Sequence, residues 1–316
     1  MFTRLEQLIE EARGRGCKRV AVAAAANGQV LQAIKQAQEL GLIEPWLVGR
    51  ADEIRQAAAL AGVSFDDERI VPTETTVESA ERAVELVHQG EADLLMKGHL
   101  HTDDFLRAAL RSSTGLRTDR LLSHCFVLQI PLYHKLLVIT DAAINIAPDM
   151  VQKAAIVQNA IDLLRQLDVD VPKVAALSAV ETINPKIPST VDAACLHKMS
   201  ERGQIKYGLV DGPMAFDNAI SAKAAQEKGI KSEVAGDVDV VLAPDLDAGN
   251  ILYKNLEYLA SAKVAGIVMG ARVPIVLTSR ADPPEARLHS LALANLVCTY
   301  DDSCTEIEFG QPLSRR

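Results

Sequence analysis

The sequence predicts a mixed α/β protein with largely parallel sheets, and three observations predict it. Short aliphatic or β-branched runs alternate with helix-length amphipathic segments along the whole chain. Hydrophobic residues make up 48% and aromatic residues only 4% of the 316 residues, so the cores are built from Ala, Val, Leu and Ile, as helices layered on a sheet require. The chain is also long enough for two domains, each with its own core.

Each element has a local reason. Leu5, Leu8, Ile9 and Ala12 recur at helical spacing and predict a helix over 3–13. A strand over 19–25, a helix over 28–40, strands at 46–48 and 70–71 with a helix over 51–61 between them, and a helix over 75–89 follow. A strand over 92–96 leads into a helix that Thr102 or Asp103 caps, with Phe105, Leu106, Ala109 and Leu110 on its apolar face. Beyond two β-rich runs, 125–130 and 136–140, comes a helix over 150–167. A second series runs strand 173–177, helix 189–200, strand 206–210, helix 215–228, strand 238–242, helix 248–261 and strands 264–269 and 274–278. Asp282 then reads as the N-cap of a last helix, with Pro283 and Pro284 in its first turn and Glu285 complementing its dipole.

Composition excludes several functions. A net charge of −9 without a Lys/Arg run argues against a nucleic-acid surface. Five cysteines without a CxxC pair fit free thiols in a reducing cytoplasm better than a disulfide framework. No apolar run reaches membrane-spanning length, and the charged, amphipathic N-terminus is unlike a signal peptide. No GxGxxG follows the first strand, where Ala23-Ala24-Ala25-Ala26-Asn27-Gly28 stands instead, and GxxxxGK[ST], GxSxG and HExxH are all absent.

What remains is a set of polar residues at strand ends, where open α/β sheets bind ligands. Thr278-Ser279-Arg280 follows a buried strand, and a hydroxyl beside a guanidinium suits an anionic substrate, although a polar turn in water has the same spacing. Lys97 and Gly98 end another strand, and Arg107 lies one turn into the next helix, as a phosphate contact or a solvated helix-face residue. His99, His101, Asp103 and Asp104 invite a metal reading, but His-x-His alternates faces on a strand and no ligand set accompanies it. Asp211, Asp245, Asn250 and Lys254 follow later strands, each readable as a substrate contact or as a turn or cap residue.

Met96-Lys97-Gly98, Thr140-Asp141, Asp211-Gly212-Pro213, Pro244-Asp245 with Ala248-Gly249-Asn250, and Thr278-Ser279-Arg280-Ala281-Asp282 together resemble the phosphate acetyltransferase and phosphate butyryltransferase family. The likeness covers roughly the last two thirds of the chain. It implies two α/β/α domains of the isopropylmalate-dehydrogenase-like fold with a cleft between them. The domain change is expected near 140, giving 1–140 plus 284–316 and 141–283. The resemblance also implies a homodimer and the reversible conversion of acyl-CoA and phosphate to acyl phosphate and CoA, with CoA as substrate and no cofactor. In that chemistry Ser279 donates to an oxyanion, Arg280 and Arg107 hold phosphate oxygens, and a carboxylate takes the thiol proton. Lys97, Gly98, Asp211, Asn250 and Lys254 are the further substrate contacts. In the acetyl branch an Asp lies seven residues after the Ser of the Ser-Arg pair and resembles the thiol base. Ala286 stands there in this chain, which leaves Asp282 and Glu285 as nearby carboxylates. Two other readings stay open at this point: a nicotinamide-dependent dehydrogenase on the same fold, and a non-catalytic two-lobed anion-binding protein.

Overall fold

The structure is a computed structural model that describes residues 2–112, 114–279 and 282–298. It divides into two compact units, one made of Leu5–Thr118 with residues 265–298, the other centred on Asp119–Val264.

The first unit begins with α1 (Leu5–Gly14), β1 (Lys18–Ala23), α2 (Gly28–Glu39), β2 (Ile43–Gly49), α3 (Ala51–Leu60), β3 (Ile70–Pro72), α4 (Thr76–His88), β4 (Leu94–Lys97) and α5 (Thr102–Ala109). β4 and most of β1 are buried on both faces, and β1 pairs in parallel with β2 and β4, β2 with β3. Short polar side chains start the helices: Asn27 Oδ1 accepts from the Val30 N–H at 3.1 Å, and Thr75 Oγ1 from the Glu78 N–H at 3.1 Å. The strand order β3-β2-β1-β4 reverses direction after β1. The carboxyl ends of β1 and β4 therefore form a topological switch point.

The second unit holds β5 (Ser123–Gln129), β6 (Leu137–Thr140), α6 (Met150–Gln166), β7 (Lys173–Leu177), α7 (Pro188–Glu201), β8 (Leu209–Met214), α8 (Phe216–Ile220), α9 (Ala222–Glu227), β9 (Val240–Leu242) and α10 (Leu246–Leu259). Its strands lie in the order β5-β6-β9-β7-β8. Only the β5–β6 hairpin is antiparallel among these pairs. Asp149 and Gln152 form a reciprocal capping box at the start of α6. The core is aliphatic apart from Phe126 and Tyr253, whose rings stack 3.7 Å apart.

The chain then returns to the first unit with β10 (Lys263–Met269), β11 (Ile275–Val276) and α11 (Pro284–Val297). β11 pairs antiparallel with β10 and parallel with β4, matching Ile275 to Leu95 and Val276 to Met96. α11 is buried from Ala286 to Val297 and packs on α1 and α2. Each fully buried Leu on it stabilises the unit by roughly 2 kcal/mol. Two of its polar residues tie it to neighbouring backbone: Ser290 Oγ accepts from the Gly266 N–H at 2.8 Å, and Asn295 Nδ2 donates to the Gly16 and Leu42 carbonyls.

Four local expectations are corrected. Asp211-Gly212-Pro213 lies inside β8 and not in a turn after a strand. β8 is the last strand of its sheet, and an edge tolerates a proline. The helix expected over 215–228 is two helices, because Ser221 is extended and its hydroxyl caps α9 from the Ala224 N–H. α5 is capped by neither Thr102 nor Asp103; His101 is its N-cap residue and makes no side-chain cap bond. Pro283 is the N-cap residue of α11, one position later than expected, and Asp282 is used differently. The units divide at 118/119 and 264/265, against expected boundaries at 140/141 and 283/284. The difference follows from pairing: β6 bonds to β9, and β11 bonds to β4.

Candidate active site

The candidate site lies within the first unit, at the carboxyl ends of β4 and β11. Because the two strands run parallel in register, the residues after Met96 and Val276 emerge side by side. There they line a cavity of about 390 Å³ formed by Lys97, His101, Thr102, Asp103, Thr278 and Ser279. Lys97 is only 3% exposed, and its Nζ donates to the Gly98 and Leu100 carbonyls at 3.4 and 3.3 Å. A buried ammonium in the lining of the cavity suits an anion there.

Gly98 has a steric reason to be glycine. Its N–H donates to the Ala23 carbonyl at 2.9 Å, and a Cβ there would stand 2.4 Å from the Ala24 carbonyl oxygen. The chain can therefore cross from β4 to α5 tight against β1 only without a side chain. The loop then delivers His101, Thr102 and Asp103 to the cavity at the start of α5.

Ser279 sits on a turn closed by Asp282. The Asp282 carboxylate, in a residue only 2% exposed, accepts from the Ser279 N–H at 2.7 Å, and the Asp282 N–H donates to the Ser279 carbonyl at 3.3 Å. Arg287, 3% exposed, donates from Nη2 to the Ser279 carbonyl at 3.1 Å and from Nη1 to the Asp282 carbonyl. Burial pushes the Arg287 pKa down, and the charge of Asp282 opposes that shift.

The structure thus brings Lys97, Gly98, Ser279 and Asp282 together. Asp282 shapes the turn instead of lining the cavity. Arg280 lies outside the described residues. Glu285 is exposed and does not line the cavity. It stands with Glu6 and the buried His289, one ligand atom from each lying within 4.8 Å of the others, a set able to hold a divalent cation. Ala286, at the acetyl-branch base position, is buried in the first turn of α11. Arg107 points to solvent, 72% of its side chain exposed, and pairs with Asp104 at 3.0 Å.

The remaining candidates belong to the second unit. Asp211 Oδ1 accepts from the Gly212 N–H at 2.7 Å and stands 3.3 Å from His197 Nδ1. Asn250 Nδ2 donates to the Ala142 carbonyl at 3.1 Å, which anchors the start of α10. Lys254 is exposed, with its Nζ 5.3 Å from the Tyr253 ring centroid. Asp245 is the N-cap of α10, accepting from the Ala248 N–H at 2.8 Å. Of the other cavity residues, Thr278 belongs to the strand-end set that the sequence points to, His101 and Asp103 enter there only through the rejected metal reading, and Thr102 only as a helix cap; Arg287 is not marked by the sequence at all.

Residues 67–295 match the Phosphate acetyl/butaryl transferase family. The chain belongs to that family. It is 49% identical over 294 residues to a phosphate acetyltransferase of Rhizobium meliloti, covering 93% of each chain. It is 43% identical over 297 residues to a phosphate butyryltransferase of Clostridium acetobutylicum, covering 94% of this chain and 99% of the relative. Among solved structures, a branched-chain phosphotransacylase from Enterococcus faecalis V583 superposes with a TM-score of 0.78 at 32% identity, over 89% of this chain and all of the other. The expected family and the α/β fold class both hold, and an acyltransferase is favoured over the dehydrogenase and the non-catalytic binding protein.

Proposed function

We propose that this chain moves a short acyl group, acetyl to butyryl, reversibly between CoA and inorganic phosphate. The observation that carries the reading is the cavity in which a buried cation, Lys97, faces a strand-end hydroxyl, Ser279, in a chain of this family. In the direction of thioester synthesis the CoA thiol loses its proton and the thiolate attacks the carbonyl carbon of acyl phosphate. The C–S bond forms, the carbonyl oxygen takes the negative charge, and the C–O bond to phosphate then breaks with its electron pair leaving on phosphate. Ser279 donates to the oxyanion, and Lys97 and Arg280 offset the phosphate charge. The exposed Arg107 binds phosphate only if the arriving substrate draws it from Asp104. Asp282 is a poor thiol base because its buried carboxylate already holds the Ser279 N–H. These steps call for neither a metal nor a covalent enzyme intermediate.

A homodimer joined through the second unit fits the same family. Ile251, Tyr258 and Leu259 of α10 are exposed at 61%, 63% and 82%, and Ile146 and Ile183 of the same unit are exposed as well. A second copy of this chain is the occupant proposed for that face. The cytoplasm is the proposed location, in keeping with the four free cysteines among the described residues. No described helix is long and apolar enough to cross a membrane.

Phosphate-dependent release of CoA from acetyl-, propionyl- and butyryl-CoA, with and without a chelator, tests the activity. Release from at least one of them, unchanged by chelator, is expected. No release from any would overturn the reading. Arg280→Ala should lower turnover by ~100-fold. Light scattering at low micromolar concentration should give twice the chain mass.

A further inference from the structure

We propose that Arg287 is a positioning residue for this site, acting through Ser279; the inference rests on the acyl-transfer reading above. Arg287 does not line the cavity, yet its guanidinium is withdrawn from water at a place where an apolar side chain would be the ordinary choice. What it meets there is specific. Its two Nη atoms reach the carbonyls at the two ends of one turn, Ser279 and Asp282. The Ser279 N–H is taken by the Asp282 carboxylate, and the Ser279 carbonyl accepts from both the Asp282 N–H and Arg287 Nη2. Both backbone polar groups of Ser279 are thus fixed by two buried residues. Fixing them sets the direction of its Cα–Cβ bond, and so the place of its hydroxyl at the cavity.

A planar fork can span two carbonyls at once, whereas an ammonium is a point donor. Replacement of Arg287 should therefore let the turn relax without emptying the cavity. An oxyanion donor displaced by about 1 Å loses on the order of 100-fold in rate, while substrate binding, made elsewhere, is little changed.

The test is a mutant cycle of Arg287→Met and Ser279→Ala in the full chain. Arg287→Met alone should lower kcat by ~100-fold with KM for CoA and for acyl phosphate within about threefold of wild type. Arg287→Lys, which keeps the charge and one of the two bonds, should recover part of the loss. In the Ser279→Ala background Arg287→Met should cost less than about threefold more, because the hydroxyl it positions is gone. Losses that multiply in the double variant, or a lowered melting temperature with kcat intact, would overturn the proposal. If Arg287→Met does not fold, Arg287→Lys takes its place in the cycle, with a smaller loss in kcat and the same non-additivity with Ser279→Ala expected. Amide hydrogen exchange at Ser279 reads the clamp without turnover. It should quicken at least tenfold in Arg287→Lys while α4 amides stay protected, and an unchanged rate overturns the clamp whether or not the wild-type chain transfers acyl groups.

Discussion

Two strand-end turns, one in each unit, are both built on a buried aspartate, and they are built differently. In the first unit Asp282 accepts the Ser279 N–H, and a buried guanidinium closes the turn from the other side. In the second unit Asp141, 3% exposed at the end of β6, accepts from the Ala143, Ile144 and Asn145 N–H groups and from Asn145 Nδ2 at 2.6 Å. Asn145 Nδ2 also donates to the Leu122 carbonyl at 2.8 Å. Neutral dipoles hold the second turn; a full positive charge holds the first. A nest of amides satisfies a carboxylate locally, within five residues of chain. The Arg287 clamp comes from the first turn of α11 and ties that helix to the turn, so packing changes in the helix reach Ser279.

Asp282→Asn is expected to have the largest effect. The amide can still accept from the Ser279 N–H, but the negative charge that acts on the buried Arg287 is removed. Stripping one partner from such a buried charge costs about 3 kcal/mol or more. The melting temperature should fall, and turnover with it, since the clamp on Ser279 is weakened. A variant as stable as wild type would show that Arg287 is balanced elsewhere, and the contrast between the turns would fail.

Asp141→Asn should cost less, about 2 kcal/mol, because no opposite charge is left behind. Three backbone donors and one side-chain amide converge on its two oxygens, and an asparagine offers one oxygen and an NH₂ group. The NH₂ must face either Asn145 or the Ala143 and Ile144 N–H groups, leaving donors against donors. Thermal unfolding at two salt concentrations checks that both sites are dry: the Asp282→Asn and Asp141→Asn losses should both be nearly salt-independent. A loss at Asp141 that shrinks in salt would mean that charge holds that turn too.

The same two turns show how far the sequence was legible. Lys97, Gly98 and Ser279 could be found because strand-end position is a rule of parallel sheets and the strands announce themselves by apolar runs. The role of Asp282 could not. An Asp before Pro-Pro reads as an N-cap, and only the observed start of α11 at Pro284 frees its carboxylate for Ser279. Arg287 was hidden because α11 is buried on every side, so its pattern has no polar face against which a buried arginine would stand out. Gly212-Pro213 looked like a turn because composition cannot distinguish a turn from the edge strand that also accepts proline. The bounds of the two compact units differ from the expected domain bounds for a pairing reason: which strand β6 or β11 joins is decided by contacts distant in sequence, and neither run carries a mark of its partner.

Asp237 extends the comparison to a carboxylate in water, and it should show the smallest effect. It lies just before β9, its side chain 46% exposed, with Lys135 Nζ at 3.0 Å, Lys173 Nζ at 2.8 Å and His134 Nε2 at 3.0 Å. Partial burial alone would raise its pKa, but hydrogen bonds from Lys173 and Lys135, with the charge of Lys135, carry it well below the usual carboxylate range. A depressed folded pKa means that the folded state holds its proton less tightly than the unfolded chain. The stabilisation is therefore complete above the unfolded value of about 3.9 and is lost as pH falls through the lower folded value. Discounted for solvent screening, it is about 1 kcal/mol, or roughly 2–4 °C in melting temperature. Lys135 keeps Asp239 at 2.7 Å when Asp237 is replaced, so no cation is stranded. Asp237→Asn should therefore melt a few degrees below wild type at pH 7, with the gap narrowed by salt and closing between pH 4 and pH 2. A gap that persists unchanged at pH 2 would show that the side chain acts through its shape or its hydrogen bonds and not through its charge.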